Sequence, residues 1–217
     1  MYVHVNVAIS ADGKLSTYER RQVRISGDDD FSRVDRLRGS YDGLLVGVGT
    51  VHADDASLTR YDGSYRRAIH GPDAPAPARA VVDTHLSTPA SAQILDGKPP
   101  TYILHGAKVS DDRHEQIVAA GGTPIRVSGE GERVDLCRAC GELEAQGVES
   151  LLIEGGGEII FSLFEAELVN RLTVFVGGTV IGGRDAPTLA DGDGFAESFP
   201  SLELEAVEQV DTGAVLT

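Results

Sequence analysis

Lysine is nearly missing from this chain: Lys14, Lys98 and Lys108 are the only three, and every other basic residue is an arginine. Lys+Arg total 19 against 34 Asp+Glu, giving a net charge of −15. Phosphate-backbone binding needs a basic face, so nucleic acid is not an expected partner. An acidic, lysine-poor surface suits concentrated salt, where self-repulsion is screened. Ordinary solubilising charge is the alternative. Cysteine is scarce too. Cys137 and Cys140 form "CRAC" inside "ERVDLCRACGELEAQG", which reads as a helix, with no second ligand pair. A structural zinc site takes four ligands, so no metal centre is expected there.

Long apolar runs are also lacking, which excludes a membrane-spanning helix. The N-terminus enters an alternating pattern at once, with no basic n-region or apolar h-region of a secretory signal. The expectation is a soluble cytoplasmic protein. Several catalytic signatures are missing. No G-x-S-x-G elbow and no H-E-x-x-H helix occur. No G-x-x-x-x-G-K-[ST] loop occurs, which disfavours NTP hydrolysis. The dinucleotide fingerprint G-x-G-x-x-G fails as well: counted from Gly155 and Gly157, its third glycine would be Ile160.

What is present is a 217-residue chain, 41% hydrophobic, whose apolar residues fall in short periodic segments. That is enough for one substantial core, so a single domain over residues 1–217 is the simplest account. In "YVHVNVAIS", Val3, Val5, Val7 and Ile9 share one face of a strand and His4, Asn6 and Ala8 the other. "DDDFSRVDRLRG" reads as a helix with an acidic start and an apolar stripe of Phe31, Val34 and Leu37. Strands follow at "GLLVGVG", "RAVVDT", "TYILHG", "TPIRVS", "ESLLIEGG" and "RLTVFVGGTVIGG", with helices at "DDRHEQIVAAGG", "VDLCRACGELEAQG" and "EIIFSLFEAELV". "HGPDAPAPAR" is a loop. The tail "SLELEAVEQVDTGAVLT" gives two strands around "DTG". The rhythm predicts an α/β fold: a mostly parallel central sheet flanked by helices, with a C-terminal antiparallel hairpin.

The stretch "LLIEGGGEIIFSLFEAEL" puts Glu154 and three glycines where a strand becomes a helix. Glycines there let backbone N–H groups approach an anion, and the new helix's free N–H groups and dipole favour negative charge. A diphosphate cradle over residues 155 to 159 is one reading; a tight turn for close helix–sheet packing is the other. A second glycine turn lies in "GLLVGVGTVHADDASLTR", where Gly47 and Gly49 precede the Thr50 hydroxyl and Asp54. Ligands of open parallel sheets bind beyond the carboxyl ends of the strands. Two such turns would grip one extended ligand, which suits a dinucleotide. Asp54 and Asp55 with His52 would make a metal site only with further ligands, and none is suitably spaced. Arginine is dense over Arg20, Arg21, Arg24, Arg33, Arg36 and Arg38. Bidentate phosphate binding is one reading of the cluster; a solvated helix face is the other, and it is the expectation for Arg33 and Arg36.

In order along the chain, "NVAISADGKLS", "RIS" before the Arg-rich helix, "DGLLVGVGTVHADDASLT", "VVDT", "LLIEGGGEIIFSLFEAELV" and "GGRDAPTLADGDGF" resemble the reductase family of riboflavin biosynthesis. The resemblance covers about residues 3 to 195. It implies a dihydrofolate-reductase-like fold, a homodimer, and reduction of a ribosylamino side chain to ribityl with NADPH, NADH being the alternative. The zinc deaminase often fused to this reductase is absent: "HAD" has Asp54 where its motif has Glu, and "CRAC" lacks the proline. The stand-alone arrangement implies 2,5-diamino-6-(ribosylamino)pyrimidin-4(3H)-one 5′-phosphate as substrate. The deaminated pyrimidine, a pterin, or a non-catalytic nucleotide-binding module are the competing readings.

Residue by residue, the resemblance makes Thr50 and Asp54 cofactor contacts with Ala8 and Thr84 beside them, and Gly47 and Gly49 of the second glycine turn join that set. Gly155, Gly156, Gly157, Glu158 and Ile159 fall on the diphosphate. Arg38, Leu58 and Glu154 face the substrate, with Arg24 near either ligand, and Arg60 stands where the family reads L-T-V-R and this chain reads "LTRY". Glu154 is the candidate catalytic residue, orienting the sugar or relaying protons; Lys14 and Asp12 of "ADGK" are weaker candidates. Glu158 replaces a usual Thr, and Asn170 a usual Asp.

Overall fold

The computed structural model describes residues 1–217, except the side chain of Glu132. In chain order the elements are β1 (Tyr2–Ser10), α1 (Asp28–Ser40), β2 (Gly43–Gly47), α2 (Val48–Asp54), α3 (Gly63–His70), β3 (Ala78–Val82), β4 (Thr101–His105), α4 (Asp111–Ala119), β5 (Thr123–Arg126), α5 (Leu136–Ala145), β6 (Ser150–Ile153), α6 (Gly157–Glu165), β7 (Arg171–Gly177), β8 (Val207–Val210) and β9 (Gly213–Leu216). The nine strands form one sheet, in the order β5-β4-β3-β2-β6-β1-β7-β9-β8. β5 to β7 run parallel, and β9 and β8 close the far edge antiparallel. The α/β class and the terminal hairpin therefore stand as expected.

The central strands are buried on both faces, which is why they read as unbroken apolar runs. Their residues alternate between two cores. Leu45, Ala80, Leu104, Leu151 and Ile153 join Val3, Val5 and Val7 against Leu143 of α5 and Ile160 and Leu163 of α6. Leu44, Val46, Val81, Ile103 and Leu152 face the opposite side, with Ile117 of α4, Leu86 and Leu58. β1 carries polar residues into this interior. His4 is buried with both ring nitrogens bonded, to Tyr41 Oη at 2.6 Å and Thr173 Oγ1 at 2.7 Å. Burial, aided by Arg171 and Arg33, pushes its pKa down to about 4.

Three sequence expectations are corrected. "GLLVGVG" is not a strand throughout: β2 ends at Gly47, where its ladder with β3 stops at Val82, and Val48–Asp54 turns helical. The strand predicted over residues 171–183 ends at Gly177, where a Cβ would lie 2.6 Å from the Ile25 carbonyl. Helix α3 falls where the sequence pattern marks no element, although Asp62 caps it by accepting from Ser64 N and Tyr65 N, and Gly71 ends it.

Candidate active site

A cleft of about 950 Å³ opens at the carboxyl ends of β1, β2, β3 and β6. Its floor is made by two turns zipped together. Gly47 N donates to Gly155 O at 2.9 Å, and Glu154 N donates to Leu45 O at 3.0 Å. Gly155 has φ +127°, a conformation open to glycine, and its peptide to Gly156 is cis. A Cβ on Gly155 or Gly156 would enter the cleft, with Thr50 Oγ1 its nearest neighbour at 4.0 and 3.8 Å. Gly157 is different: a Cβ there would lie 2.5 Å from both Thr188 O and Asp191 Oδ2. The tight-packing reading thus holds for Gly157, while Gly155 and Gly156 leave the open space that the other reading requires. Two glycines keep space in the cleft, and the third lets the 188–191 loop pack against α6. No side chain caps α6, whose N-cap is Gly156, so its first N–H groups and dipole face the cleft bare.

The other end of the cleft is built from charged side chains. α1 starts with Asp28, Asp29 and Asp30 and ends with Arg38, as the helix dipole favours. Its first N–H groups also find a partner in Asp211, from the β8–β9 turn, which accepts from Asp29 N at 3.3 Å and Asp30 N at 3.0 Å. At the far end, Arg38 reaches the tip of β6. Its Nε and Nη2 donate to the two carboxylate oxygens of Glu154 at 2.7 and 3.0 Å, and its Nη1 to Arg60 O at 3.2 Å. Asp35 stands 3.9 Å from Arg38 and accepts from Arg60 Nε at 2.7 Å. Burial pulls the Arg38 pKa down, but attraction and hydrogen bonding to Glu154, with Asp35 behind, leave it raised. A guanidinium has five N–H donors. With three engaged, two remain for an anion, so Arg38 can hold a phosphate without leaving Glu154.

Ala8, Gly47, Gly49, Thr50, Asp54, Thr84, Gly155, Gly156, Gly157, Glu158 and Ile159 line this cleft, together with Arg38, Arg60 and Glu154. Two predicted residues do not. Leu58, with φ +51°, turns its side chain into the core beneath. Arg24 is exposed, paired with Asp28 at 2.6 Å, and meets the cleft's lining only at Ser26 O, 3.3 Å from its Nε, and at Phe31, whose ring it and Arg60 flank at 5.3 and 5.9 Å. Lys14 and Asp12 brace a loop instead. Lys14 Nζ donates to Ala186 O, and the Asp12 carboxylate accepts from Ile181 N and Gly182 N. Those bonds, led by the one from Ser10, hold the Asp12 pKa near 2.

The trio considered for a metal is dispersed. Asp54 accepts from Gln22 at 2.8 Å, Asp55 from Gln93 at 3.0 Å, and His52 meets Ser87 at 3.2 Å. Burial raises the Asp54 pKa against the opposing Gln22 bond. Among the described residues no three His, Cys, Asp or Glu side chains converge as a metal site. Sequence reasoning missed Asp35 and Gln22. Asp35 was detectable, three residues before Arg38 on one helix, a spacing that brings side chains together. No sequence signal points from Gln22 to Asp54.

The RibD C-terminal domain family model matches residues 1–216. A 2,5-diamino-6-ribosylamino-4(3H)-pyrimidinone 5′-phosphate reductase of Archaeoglobus fulgidus is 38% identical, over 100% of this chain and 96% of its own length. A solved pyrimidine reductase-like protein of Corynebacterium diphtheriae superposes with a TM-score of 0.81 at 18% identity, over 99% of this chain and 89% of its own. RibD of Acinetobacter baumannii gives 0.76 at 20% identity; there this chain spans only 56% of the longer protein. At those identities the two structures speak for the fold alone.

Proposed function

This chain belongs to the RibD C-terminal domain family, and from that membership we propose that it reduces 2,5-diamino-6-ribosylamino-4(3H)-pyrimidinone 5′-phosphate in riboflavin biosynthesis. The ribosylamino side chain becomes ribitylamino. NADPH is the nucleotide we assign, and the hydride is what it supplies. The observation that carries the reading is a single cleft with bare glycine backbone at one end and the Arg38–Glu154 pair at the other.

Gly155, Gly156 and the uncapped start of α6 fit a diphosphate, because the space a Cβ would take is open. Gly47, Gly49, Thr50, Asp54, Thr84, Ala8, Glu158 and Ile159 line the same stretch and complete the cofactor side. Arg38 takes the substrate's 5′-phosphate with its two remaining N–H groups, and Arg60 stands beside it. Glu154, held in place by Arg38, faces the ribose and orients it or relays a proton. The chain's own contribution is to fix both ligands in contact and keep water out.

NADPH absorbance followed on mixing with each substrate tests this. Oxidation with the diamino pyrimidine, and not with the deaminated pyrimidine or a pterin, is the expected result, unchanged by a chelator. Oxidation with the deaminated compound alone would move the substrate. No oxidation with any would leave a nucleotide-binding module. NADH run in parallel decides between the two nucleotides.

We also assign a homodimer working in the cytoplasm at high salt. Exposed Phe199, Leu202, Leu204 and Val207, at and just before the outer strand β8, support the dimer. Two free thiols suit a reducing compartment. The −15 charge with three lysines supports the salt reading. Light scattering and thermal melts in dilute and molar salt check both: twice the chain's mass, and a melting temperature that rises with salt. A monomer, or a melt indifferent to salt, removes the corresponding assignment.

A further inference from the structure

We propose that Arg79 is a positioning residue for the substrate end of the cleft; the proposal rests on Arg38 and Arg60 facing the substrate, as argued above. Arg79 sits in β3, where its neighbours are apolar, and is 0% exposed. Burying a guanidinium is costly, and an apolar side chain would fill the same space without that cost. What the charge does is hold backbone. Nη1 donates to Ser57 O at 3.1 Å, and Nη2 to Pro99 O at 2.9 Å and Asp96 Oδ1 at 2.6 Å. Its Nε is buried with no partner among the described residues.

Ser57 lies in the stretch between α2 and α3, which between its end caps Asp55 and Asp62 has no helix or strand bonding of its own over residues 56–61. Asp55 and Leu58 in it both have positive φ, at +45° and +51°, so neighbouring structure must hold the path. Leu58 anchors it by burial, and Arg79 anchors the carbonyl just before. Two residues after Leu58, Arg60 O receives the third hydrogen bond of Arg38, and the Arg60 side chain reaches Asp35. The connection therefore runs from Arg79 through Ser57 and Leu58 to Arg60, and from there to the Arg38–Glu154 pair. Arg79 does not line the cleft, so it acts only through this segment. The two glycine turns on the cofactor side have no such dependence, because they are bonded to each other.

Arg79→Met and Arg79→Lys test this by kinetics and by amide exchange on the unliganded protein. Arg79→Met should raise substrate KM by about tenfold while NADPH KM stays within about twofold. Arg79→Lys should recover part of the loss, since an ammonium reaches some of the same acceptors. Amide exchange at Asp55 and Asp62, whose N–H groups donate to Val51 O and Asp35 O at the two ends of the 55–62 stretch, should speed up by about tenfold, with 155–165 unchanged. An equal rise in both KM values, or unchanged exchange at Asp55 and Asp62, overturns the proposal. The exchange readout needs no substrate, so it separates this failure from failure of the proposed reaction. Should Arg79→Met not fold, Asp96→Ala loosens Arg79 from an exposed position. It should give the same split at smaller size, and unchanged exchange at Asp55 and Asp62 in it overturns the proposal equally.

Discussion

At the α6 end of the cleft, Gly155 and Gly156 present backbone and empty space. At the α1 end, Arg38, Glu154, Arg60 and Asp35 present four charged side chains already bonded to one another. Under the proposed function the first end would recognise by leaving room, an anion meeting N–H groups that no side chain caps. The second would recognise by holding charges in register before any ligand arrives, so that less ordering is left for the binding step. One end is therefore sensitive to any added atom, the other to any removed charge.

Removing the charge nearest the sugar should have the largest effect. Glu154→Gln keeps the shape and one acceptor oxygen, and should lower kcat by about 10²- to 10⁴-fold, the usual range for a positioned acid–base group. NADPH affinity should not change. A normal kcat in steady-state kinetics would reduce Glu154 to a brace for Arg38. Arg38→Ala comes next. A charge-assisted contact is worth roughly 1.5–3 kcal/mol, so substrate KM should rise about ten- to a hundred-fold at constant NADPH affinity. The reverse pattern would move Arg38 to the cofactor and dissolve the division between the two ends.

On the glycine side, Gly156→Val should fold, because its Cβ has only Thr50 Oγ1 nearby, at 3.8 Å. The added atoms occupy the anion's place, and NADPH should bind about tenfold more weakly, read by fluorescence titration. Unchanged affinity in the folded variant would put the cofactor elsewhere. Thr50→Val is the smallest change. It deletes one neutral hydrogen bond of about 0.5–1.5 kcal/mol, a few-fold in NADPH affinity, with substrate KM unaffected. An effect as large as that of Arg38→Ala on the substrate would show that side chains matter on this end too.

The same contrast explains what the sequence could tell. Bare backbone leaves a mark, because only glycine satisfies both an open Cβ position and a φ of +127° at residue 155. The parallel strands were readable for a similar reason: burial on both faces forces continuous apolar runs such as "GLLV". Partnership between charges leaves no such mark. Arg38 and Glu154 are 116 residues apart, and no periodicity connects them. The arginine cluster therefore gave a list without an order. Arg38 meets the cleft, whereas Arg24 pairs with Asp28 outside it. Leu58 belongs to the same limit, since a positive φ turned its side chain inward where the motif alone suggested a contact.

The Asp211 cap on α1 has a consequence for the order in which the molecule can be assembled. The helix that ends in Arg38 is closed at its start by a carboxylate more than 180 residues later. β1 likewise waits for its two partners, β6 at residues 150–153 and β7 at 171–177. A ribosome making this chain therefore releases the central strand and the helix that carries Arg38 long before either has its neighbours. The β2–β3–β4–β5 half, whose partners follow one another closely, is the part that can consolidate during synthesis. The half of the sheet that holds β1 is completed only once β7, β8 and β9, residues 171–216, have been made.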